Sequence, residues 1–465
     1  MSQLATCTGE FEGVIEAISL QQAQGITGGV LSGADVTFSV VSTDTRTLQK
    51  KDLFVALQGP NFNGNTFVQL AAEKQACAAL VSEALVTDLP TLCVPDTRIA
   101  LGQLARHNRL QADARVVALT GSQGKTTVKE MTAAILACCG KVLSTKGNLN
   151  NDIGVPLTLL QIDADHEFAV IEMGANAAHE ILYTTQLALP DVAHITNVAP
   201  THLEGFGSLA GVATAKAEIW AGIRPGGCAV LNIDDENIAA NFVITADIKV
   251  VRISAKGSQA DYQINDYLDL QLAGSRFCLL TPAGAAMINL QLPGKHNAAN
   301  ALAAAALAME AGAGLEHVVH GLQNMHSIKG RLMVKKGLRN SVVLDDTYNA
   351  SPSSFRAAID VLAQLPGTRI VVAGDMGELG SGEQAAHADL GTYALTKGIN
   401  YLFATGKLGQ LAVKAFGNCA VHKENKDELA AAVLPLLAPG VHVLVKGSRS
   451  AGMEQVVKLI TVAEG

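Results

Sequence analysis

The sequence predicts an α/β protein of three domains. A central, P-loop-containing and mostly parallel sheet carries helices on both faces, a Rossmann-like sheet follows it, and a smaller α/β domain precedes it. Three observations predict this. Short apolar runs alternate with helical stretches along most of the chain, the pattern of repeated strand–helix units. One run, Val116-Val117-Ala118-Leu119, feeds a glycine loop and then a helix. The 465 residues suffice for about three domains, each able to bury its own core.

Residues 1–111 form the first unit. Val40 to Arg46 leads through Lys51-Asp52 into a short strand, Leu53 to Leu57. Gly59 to Gly64 is a turn-rich loop, and a helical pattern follows from Thr66. Asp44, Thr45 and Arg46 offer a hydroxyl and a guanidinium fork suited to a phosphorylated or polyhydroxyl ligand, although the same triplet also reads as a solvated strand end. A second Asp-Thr-Arg, Asp96 to Arg98, reads as the cap of the helix that leads into the next unit.

Residues 112–325 form the central unit. The apolar run at Val116 reads as a buried parallel strand. It ends in Thr120-Gly121-Ser122-Gln123-Gly124, and Lys125, Thr126 and Thr127 open a helix running to about Cys139. Free backbone N–H groups and the helix dipole there would face an anion. Lys125 would reach terminal phosphates and the Thr126 hydroxyl would hold Mg²⁺. The motif departs from the usual P-loop once, with Leu119 where the first glycine stands. Phe168 to Ile171, Val192 to Ile195 and Ala229 to Leu231 are further strands. Ligands on such sheets sit beyond the strand C-terminal ends. Glu172, Asn197 and His202 fall there, with Lys216 and Glu218 on a helix from Val212 to Ile223. Singly, Glu172 reads as a metal ligand or as a helix cap, His202 as a satisfied loop histidine, and Lys216 as a solvated lysine. Their joint occurrence downstream of a P-loop favours a site.

Residues 326–465 alternate again, with strands at Val342 to Leu344, Arg369 to Gly374, Tyr401 to Gly406 and His442 to Gly447. No G-x-G-x-x-G follows them, so no dinucleotide is implied. The glycines between Gly312 and Arg331 mark the expected hinge to the central unit. Asp345-Asp346 and Lys446 to Arg449 lie at strand ends that could face the central cleft, or be solvated loops.

Composition narrows the function classes. A net charge of −8 argues against nucleic-acid binding. Eight scattered cysteines without a C-x-x-C pair suggest neither a zinc site nor a disulfide framework. No basic leader and no apolar run of about 18 residues is present, so a cytoplasmic protein without membrane insertion is expected.

At this point the chain resembles the Mur ligases, the ATP-dependent amide-bond-forming enzymes of peptidoglycan precursor synthesis. The resemblance rests on TGSQGKTT (120–127), NLNNDIGVP (148–156), EMGAN (172–176), NVAPTHLEGFGS (197–208), AKAEI (215–219), LPGKHNAANALAAA (292–305), KGR (329–331) and DDTYNASPSS (345–354), in family order. EMGAN, GDMGELG (374–380) and KGSRSAGME (446–454) are similar to the member that adds D-alanyl-D-alanine to UDP-N-acetylmuramoyl-tripeptide. STDTR and DLFVALQG are similar to its UDP-binding domain.

Carried over motif by motif, the resemblance implies ATP phosphates and Mg²⁺ at Gly121, Ser122, Gln123, Gly124, Lys125, Thr126 and Thr127. It implies metal at Glu172 and His202, with Lys216 carbamylated beside them. Asn297 and Asn300 would contact adenine, Arg331 the γ-phosphate, and Asp346 with Tyr348 the ribose side. Asn148, Asn150 and Asn151 would face the muramoyl-peptide, Thr45 and Arg46 the UDP moiety, and Arg449 the dipeptide. Ser351 replaces the family's usual asparagine before proline, and Asn65 stands where many relatives have histidine. The resemblance implies the two substrates named above as partners, and a monomer is expected. Two alternatives stand beside this reading. Another amide ligase of the superfamily would be either a different Mur ligase or folylpolyglutamate-synthase-like, and the latter would lack the STDTR unit. A P-loop binding protein without catalysis would have no need of Lys125, Glu172, His202 and Lys216 together.

Overall fold

The computed structural model describes residues 13–59, 61–243, 247–325 and 327–462, so Pro60 of the turn-rich loop and the first twelve residues of the first unit lie outside the described residues. Among these residues three main sheets follow one another along the chain. The first is mixed. Thr37–Ser42, Leu53–Val55, Ala78–Val81 and Thr91–Cys93 run parallel, and Gly13–Ser19 and Val30–Ser32 close its edges antiparallel. The turn-rich loop is a small hairpin, with Gln58 opposite Asn63 and Gly59 opposite Phe62.

The central sheet has nine strands. Val142–Ser144, Phe168–Glu172, Arg115–Thr120, Val192–Ile195, Cys228–Asn232, Lys249–Ser254 and the start of Tyr262–Asp269 are parallel neighbours in that order. Their C-terminal ends share one edge, where Glu172 stands in register with Leu119 and Ile195 with Thr120. The expected alternation fails beyond Tyr262. Tyr262–Asp269, Ser275–Thr281 and Gly284–Leu290 form an antiparallel meander. Its strand period shows in buried Phe277 and Leu279 beside exposed Arg276.

The helices Lys125–Leu136, Lys295–Glu310 and Leu315–Gln323 cover one face of this sheet over a single apolar cluster. Alanines at 301, 303–306 and 308 are buried there, and their short side chains let the Lys295–Glu310 helix lie close to both the sheet and the P-loop helix. The other face shares its core with the first sheet, from Ile18 through Leu101 and Leu104 to Ile238. The Thr97–Gln111 helix, capped by the Asp96 carboxylate as expected, spans that shared core. The third sheet keeps separate apolar clusters on its two faces. Val342–Asp346, Val441–Lys446, Thr368–Ala373, Tyr401–Ala404 and Ala420–His422 are parallel, with Met333–Lys336 added antiparallel.

Three expectations need correction. The P-loop helix ends at Leu136 rather than Cys139, because Cys138 and Cys139 close reverse turns onto Ile135 and Leu136. The helix carrying Lys216 starts at Leu209 behind a Ser208 cap and tightens to a 3₁₀ turn at Glu218–Gly222. The hinge is far shorter than Gly312 to Arg331. Leu315–Gln323 is a helix with Val318 and Leu322 in the central core, and a side chain at Gly321 would strike the Ile135 backbone. Met325 and Ile328 still pack on that core, whereas the Gly330 carbonyl already accepts the Tyr348 N–H and Leu332 N–H donates to Asp346. The change of body is confined to Ile328–Gly330.

Candidate active site

The glycine loop lies at the C-terminal edge of the central sheet and is braced by the chain after Ile195. Thr196 Oγ1 donates to the Gln123 carbonyl at 2.5 Å, Ser122 Oγ donates to the Ala199 carbonyl at 3.0 Å, and Gln123 N–H donates to Asn197 Oδ1 at 2.9 Å. Ser122 N–H donates to the Asn197 carbonyl, so these two amides hold the loop itself. Both glycines are needed. Gly121 has φ 150° and a Cβ there would collide with the Thr196 hydroxyl, and at Gly124, with φ 76°, a Cβ would stand only 2.6 Å from Asn300 Oδ1. Lys125 heads the helix and donates to the Gly121 carbonyl at 2.8 Å. Burial pushes its ammonium down from the ordinary lysine range, opposed by nearby Glu172 and Glu378 and reinforced by Arg331.

Glu172 ends its strand fully buried. Its N–H donates to Thr145 Oγ1 at 3.0 Å, and its Oε1 accepts from Asn150 Nδ2 at 2.8 Å. Its Oε2 has no hydrogen-bond partner among the described residues. The capping alternative is excluded, because the next helix, Glu180–Ala188, begins at His179. A buried carboxylate oxygen without a donor is costly, and a cation would satisfy it. Lys216 is also buried, and no ion pair joins it to a carboxylate among the described residues. Burial first, and then the Lys125 charge, push its pKa well below the ordinary lysine value, which favours the uncharged amine. Among the described residues no group of three or more His, Cys, Asp or Glu forms a ready-made metal cluster. A cation would draw further oxygens from Thr126 and from a modified Lys216.

The C-terminal unit closes over this edge. Arg331 Nη2 donates to Thr126 Oγ1 at 3.2 Å, and its guanidinium lies 4.2 Å from the Tyr348 ring centroid. Arg331 Nε is buried without a partner among the described residues. Gln123 Nε2 donates to Ser351 Oγ at 3.2 Å and also contacts Ser353. Ser351 meanwhile caps the Pro352–Ala363 helix, which is a sufficient role for a serine before that proline. His202 Nδ1 meets Glu378 Oε2 at 2.9 Å.

Asn297 and Asn300 lie on the first turns of the Lys295–Glu310 helix. Asn300 Nδ2 donates to Asn297 Oδ1 at 3.3 Å, and Asn297 Nδ2 donates to the Pro293 carbonyl at 2.8 Å. Asp346 is buried with its Oδ2 2.6 Å from Lys446 Nζ and its Oδ1 accepting Leu332 N–H. Asn151 Oδ1 accepts the Gly154 N–H at 2.8 Å at the start of a short helix, and the Asn148 carbonyl accepts the Asn150 N–H. Thr45, Arg46 and Arg449 are not joined to this cluster by any hydrogen bond or ion pair among the described residues. Arg46 grips Asp44 at 2.6 Å and Arg449 pairs with Glu454 at 3.2 Å, both on exposed side chains. Asn65 is buried and donates to Ser82 Oγ at 2.8 Å and Glu83 Oε1 at 3.1 Å.

Sequence reasoning missed Glu378 and Thr145 as parts of this site, whereas Lys446 was among the strand-end residues expected to face the cleft. Glu378 stands on the loop beyond the Thr368–Ala373 strand in a motif already noticed, a positional signal that went unused. Thr145 carries no signal, since only the strand pairing puts its hydroxyl at the Glu172 N–H.

The family description Mur ligase middle domain matches residues 119–308, and Mur ligase, glutamate ligase domain, matches residues 330–449. The chain is 46% identical over 446 residues to the UDP-N-acetylmuramoyl-tripeptide--D-alanyl-D-alanine ligase of Escherichia coli (strain K12), covering 96% of this chain and 98% of that one. It superposes on a crystal structure of MurF from Acinetobacter baumannii with TM-score 0.89 and 35% identity, over 96% of this chain and 98% of that one. A MurF ligase structure from Thermotoga maritima in complex with ADP matches with TM-score 0.82 and 25% identity, over 90% of this chain and 96% of that one.

Proposed function

The chain belongs to the Mur ligase family, and we propose that it is the ATP-dependent member that joins D-alanyl-D-alanine to UDP-N-acetylmuramoyl-tripeptide in peptidoglycan precursor synthesis. The products are UDP-N-acetylmuramoyl-pentapeptide, ADP and phosphate. The observation that carries the reading is the meeting, at one sheet edge, of the P-loop Lys125 and Thr126 with buried Glu172, buried Lys216 and Arg331 from the next unit.

A carboxylate is a poor acylating agent, so the tripeptide carboxylate first takes the γ-phosphoryl group of ATP and becomes an acyl phosphate. The amine of the dipeptide then attacks the acyl carbon, and phosphate leaves. Phosphoryl transfer is mostly alignment and charge neutralisation. Lys125 and the start of its helix receive the phosphates, and the Arg331 fork closes on the γ-phosphoryl oxygens from the C-terminal side. Asn297 and Asn300 face adenine. Asp346 and Tyr348 take the ribose side, and Asp346 retains a lone pair on each oxygen beyond the bonds it already accepts.

The unpartnered Glu172 Oε2 fits a divalent cation, with Thr126 Oγ1, His202 and Lys216 as the other donors. Mg²⁺ held by these residues would supply positive charge to offset the phosphates and the substrate carboxylate. Lys216 becomes an anionic oxygen donor by carbamylation. Its neutral amine adds to CO₂, an N–C bond forms and one proton is released, and the low pKa that burial imposes favours that step.

Division of labour follows the three units. Residues 1–111 hold the UDP end through Thr45 and Arg46, residues 112–325 hold ATP, and residues 326–465 bring the dipeptide, with Arg449 for its carboxylate. Asn148, Asn150 and Asn151 face the muramoyl-peptide, next to Glu172. The protein works as a monomer in the cytoplasm, a reading supported by a site built from one chain and by nucleotide substrates. No helix among the described residues is long and apolar enough to cross a membrane. The test is phosphate release from ATP, which should require both UDP-N-acetylmuramoyl-tripeptide and D-alanyl-D-alanine. Running lysine and diaminopimelate tripeptides in parallel identifies the third residue. Phosphate release that ignores the dipeptide would overturn the reading.

A further inference from the structure

Glu378 sits on the loop after the Thr368–Ala373 strand, in the C-terminal unit, yet its ion-pair partner is His202 of the central unit, at 2.9 Å. Both residues have left-handed backbones, φ 62° for Glu378 and φ 50° for His202. Non-glycine residues adopt that conformation at a cost, so the two loops are shaped to bring these side chains together. The Glu378 loop is rigid from its own side. Asp375 accepts N–H bonds from Leu408 and Gly409, His387 Nε2 accepts the Met376 N–H at 2.9 Å, and Met376 and Leu379 are buried.

We propose that Glu378 is a positioning residue that orients the His202 imidazole for the metal, so that the metal site is complete only when the C-terminal unit is docked. This rests on the reading of His202 as a metal ligand. An imidazole has two nitrogens, and a metal-bound one almost always donates its other N–H to a carboxylate or carbonyl. With Nδ1–H donated to Glu378, Nε2 presents its lone pair to the cation. The carboxylate also fixes the ring tautomer and makes the ligand nitrogen more basic. Docking of the third unit therefore reports directly to the centre that activates the carboxylate.

The test uses the full-length enzyme with Mn²⁺ as probe, followed by electron paramagnetic resonance, with a non-hydrolysable ATP analogue and UDP-tripeptide present. Glu378→Ala and Glu378→Gln should weaken Mn²⁺ binding about 10- to 100-fold, and Glu378→Asp should recover part of it. Adding Glu378→Ala to His202→Ala should cause no further loss. The Glu378 side chain is 63% exposed, so its replacement removes no core contact. If His202→Ala loses Mn²⁺ while Glu378→Ala retains it, this inference is overturned and the metal assignment stands. If His202→Ala retains Mn²⁺ as well, the metal assignment falls and takes this inference with it.

Discussion

Arg331 and Thr126, 205 residues apart in the chain, meet through a 3.2 Å hydrogen bond that joins the C-terminal unit to the first turn of the P-loop helix. The contact uses one arm of the guanidinium, whose Cζ lies over the Tyr348 ring, 4.2 Å from its centroid. A planar fork stacked in this way keeps its remaining donors aimed in a fixed direction. A lysine at 331 would supply charge without the fork or the stack. Arg331→Lys should therefore lower kcat by about a hundredfold or more, the loss seen when one preorganised donor to a reacting oxyanion is removed. Binding of UDP-tripeptide, measured by calorimetry, should be unchanged. Near-normal turnover would show that Arg331 does not act on the transferred group.

Lys216 offers a chemical test. A buried amine pushed well below its usual pKa is a reactive nucleophile toward CO₂, and the carbamate it forms is an anion of carboxylate shape. Lys216→Ala should lose most of its turnover, and a short acid such as acetate or formate in the assay should restore part of it by filling the vacated volume. Saturable rescue of folded Lys216→Ala, absent in Glu172→Ala, is the expected pattern. A folded variant that no short acid rescues would count against carbamylation.

Much of the site was legible because its chemistry is local in sequence. The glycine loop, Lys125 and Thr126 occupy one continuous stretch, and Glu172 announces itself as a carboxylate at the end of an apolar strand. Parallel pairing then brings such strand ends together without further instruction. What could not be read depends on contacts between separate bodies. Glu378 meets His202, and Gln123 meets Ser351, only through the docking of two sheets. The meander from Tyr262 to Leu290 was hidden because its period-2 strands interrupt a pattern set by the parallel strands before it. The hinge was overdrawn because glycines were read as breaks, whereas Gly321 serves close helix packing.

His194 provides a stability prediction away from the chemistry. It is fully buried in the central sheet, its Nδ1 faces the Val230 carbonyl at 2.8 Å, and its Nε2 has no partner among the described residues. Burial holds its pKa down at about 4 against 6.5 for a free histidine. Between these values the unfolded chain binds a proton that the folded protein refuses, so stability falls as pH drops through 6.5 and levels off near 4. Fully developed, the penalty is on the order of 3 kcal/mol. His194→Gln keeps a donor for Val230 and removes the titration. Its urea midpoint should fall less than that of the wild type between pH 7 and pH 4.5 (about a neutral and a mildly acidic buffer). Parallel losses in the two proteins would rule His194 out as a source of acid sensitivity.

The last prediction concerns motion of the third unit. Its sheet has its own cores, whereas the first and central sheets share one, so the third unit is the body most free to turn. The connection narrows to Ile328–Gly330, between a residue packed on the central core and one bonded to Tyr348. Gly330 has φ 70° in the docked arrangement, with the Tyr348 nitrogen 3.1 Å from where a Cβ would stand. A nucleotide held by Asn297 and Asn300 on one side and by Arg331 and Tyr348 on the other favours docking by its contacts with both bodies. A non-hydrolysable ATP analogue with UDP-tripeptide should therefore reduce the radius of gyration in solution scattering. An alanine at 330 must take the left-handed backbone at a cost of about 1–2 kcal/mol. If docking requires that backbone, Gly330→Ala should need about 5- to 30-fold more nucleotide for the same compaction. Identical scattering of the wild type with and without saturating ligands would exclude the closing motion. Compaction of Gly330→Ala at wild-type nucleotide concentrations would place the hinge elsewhere.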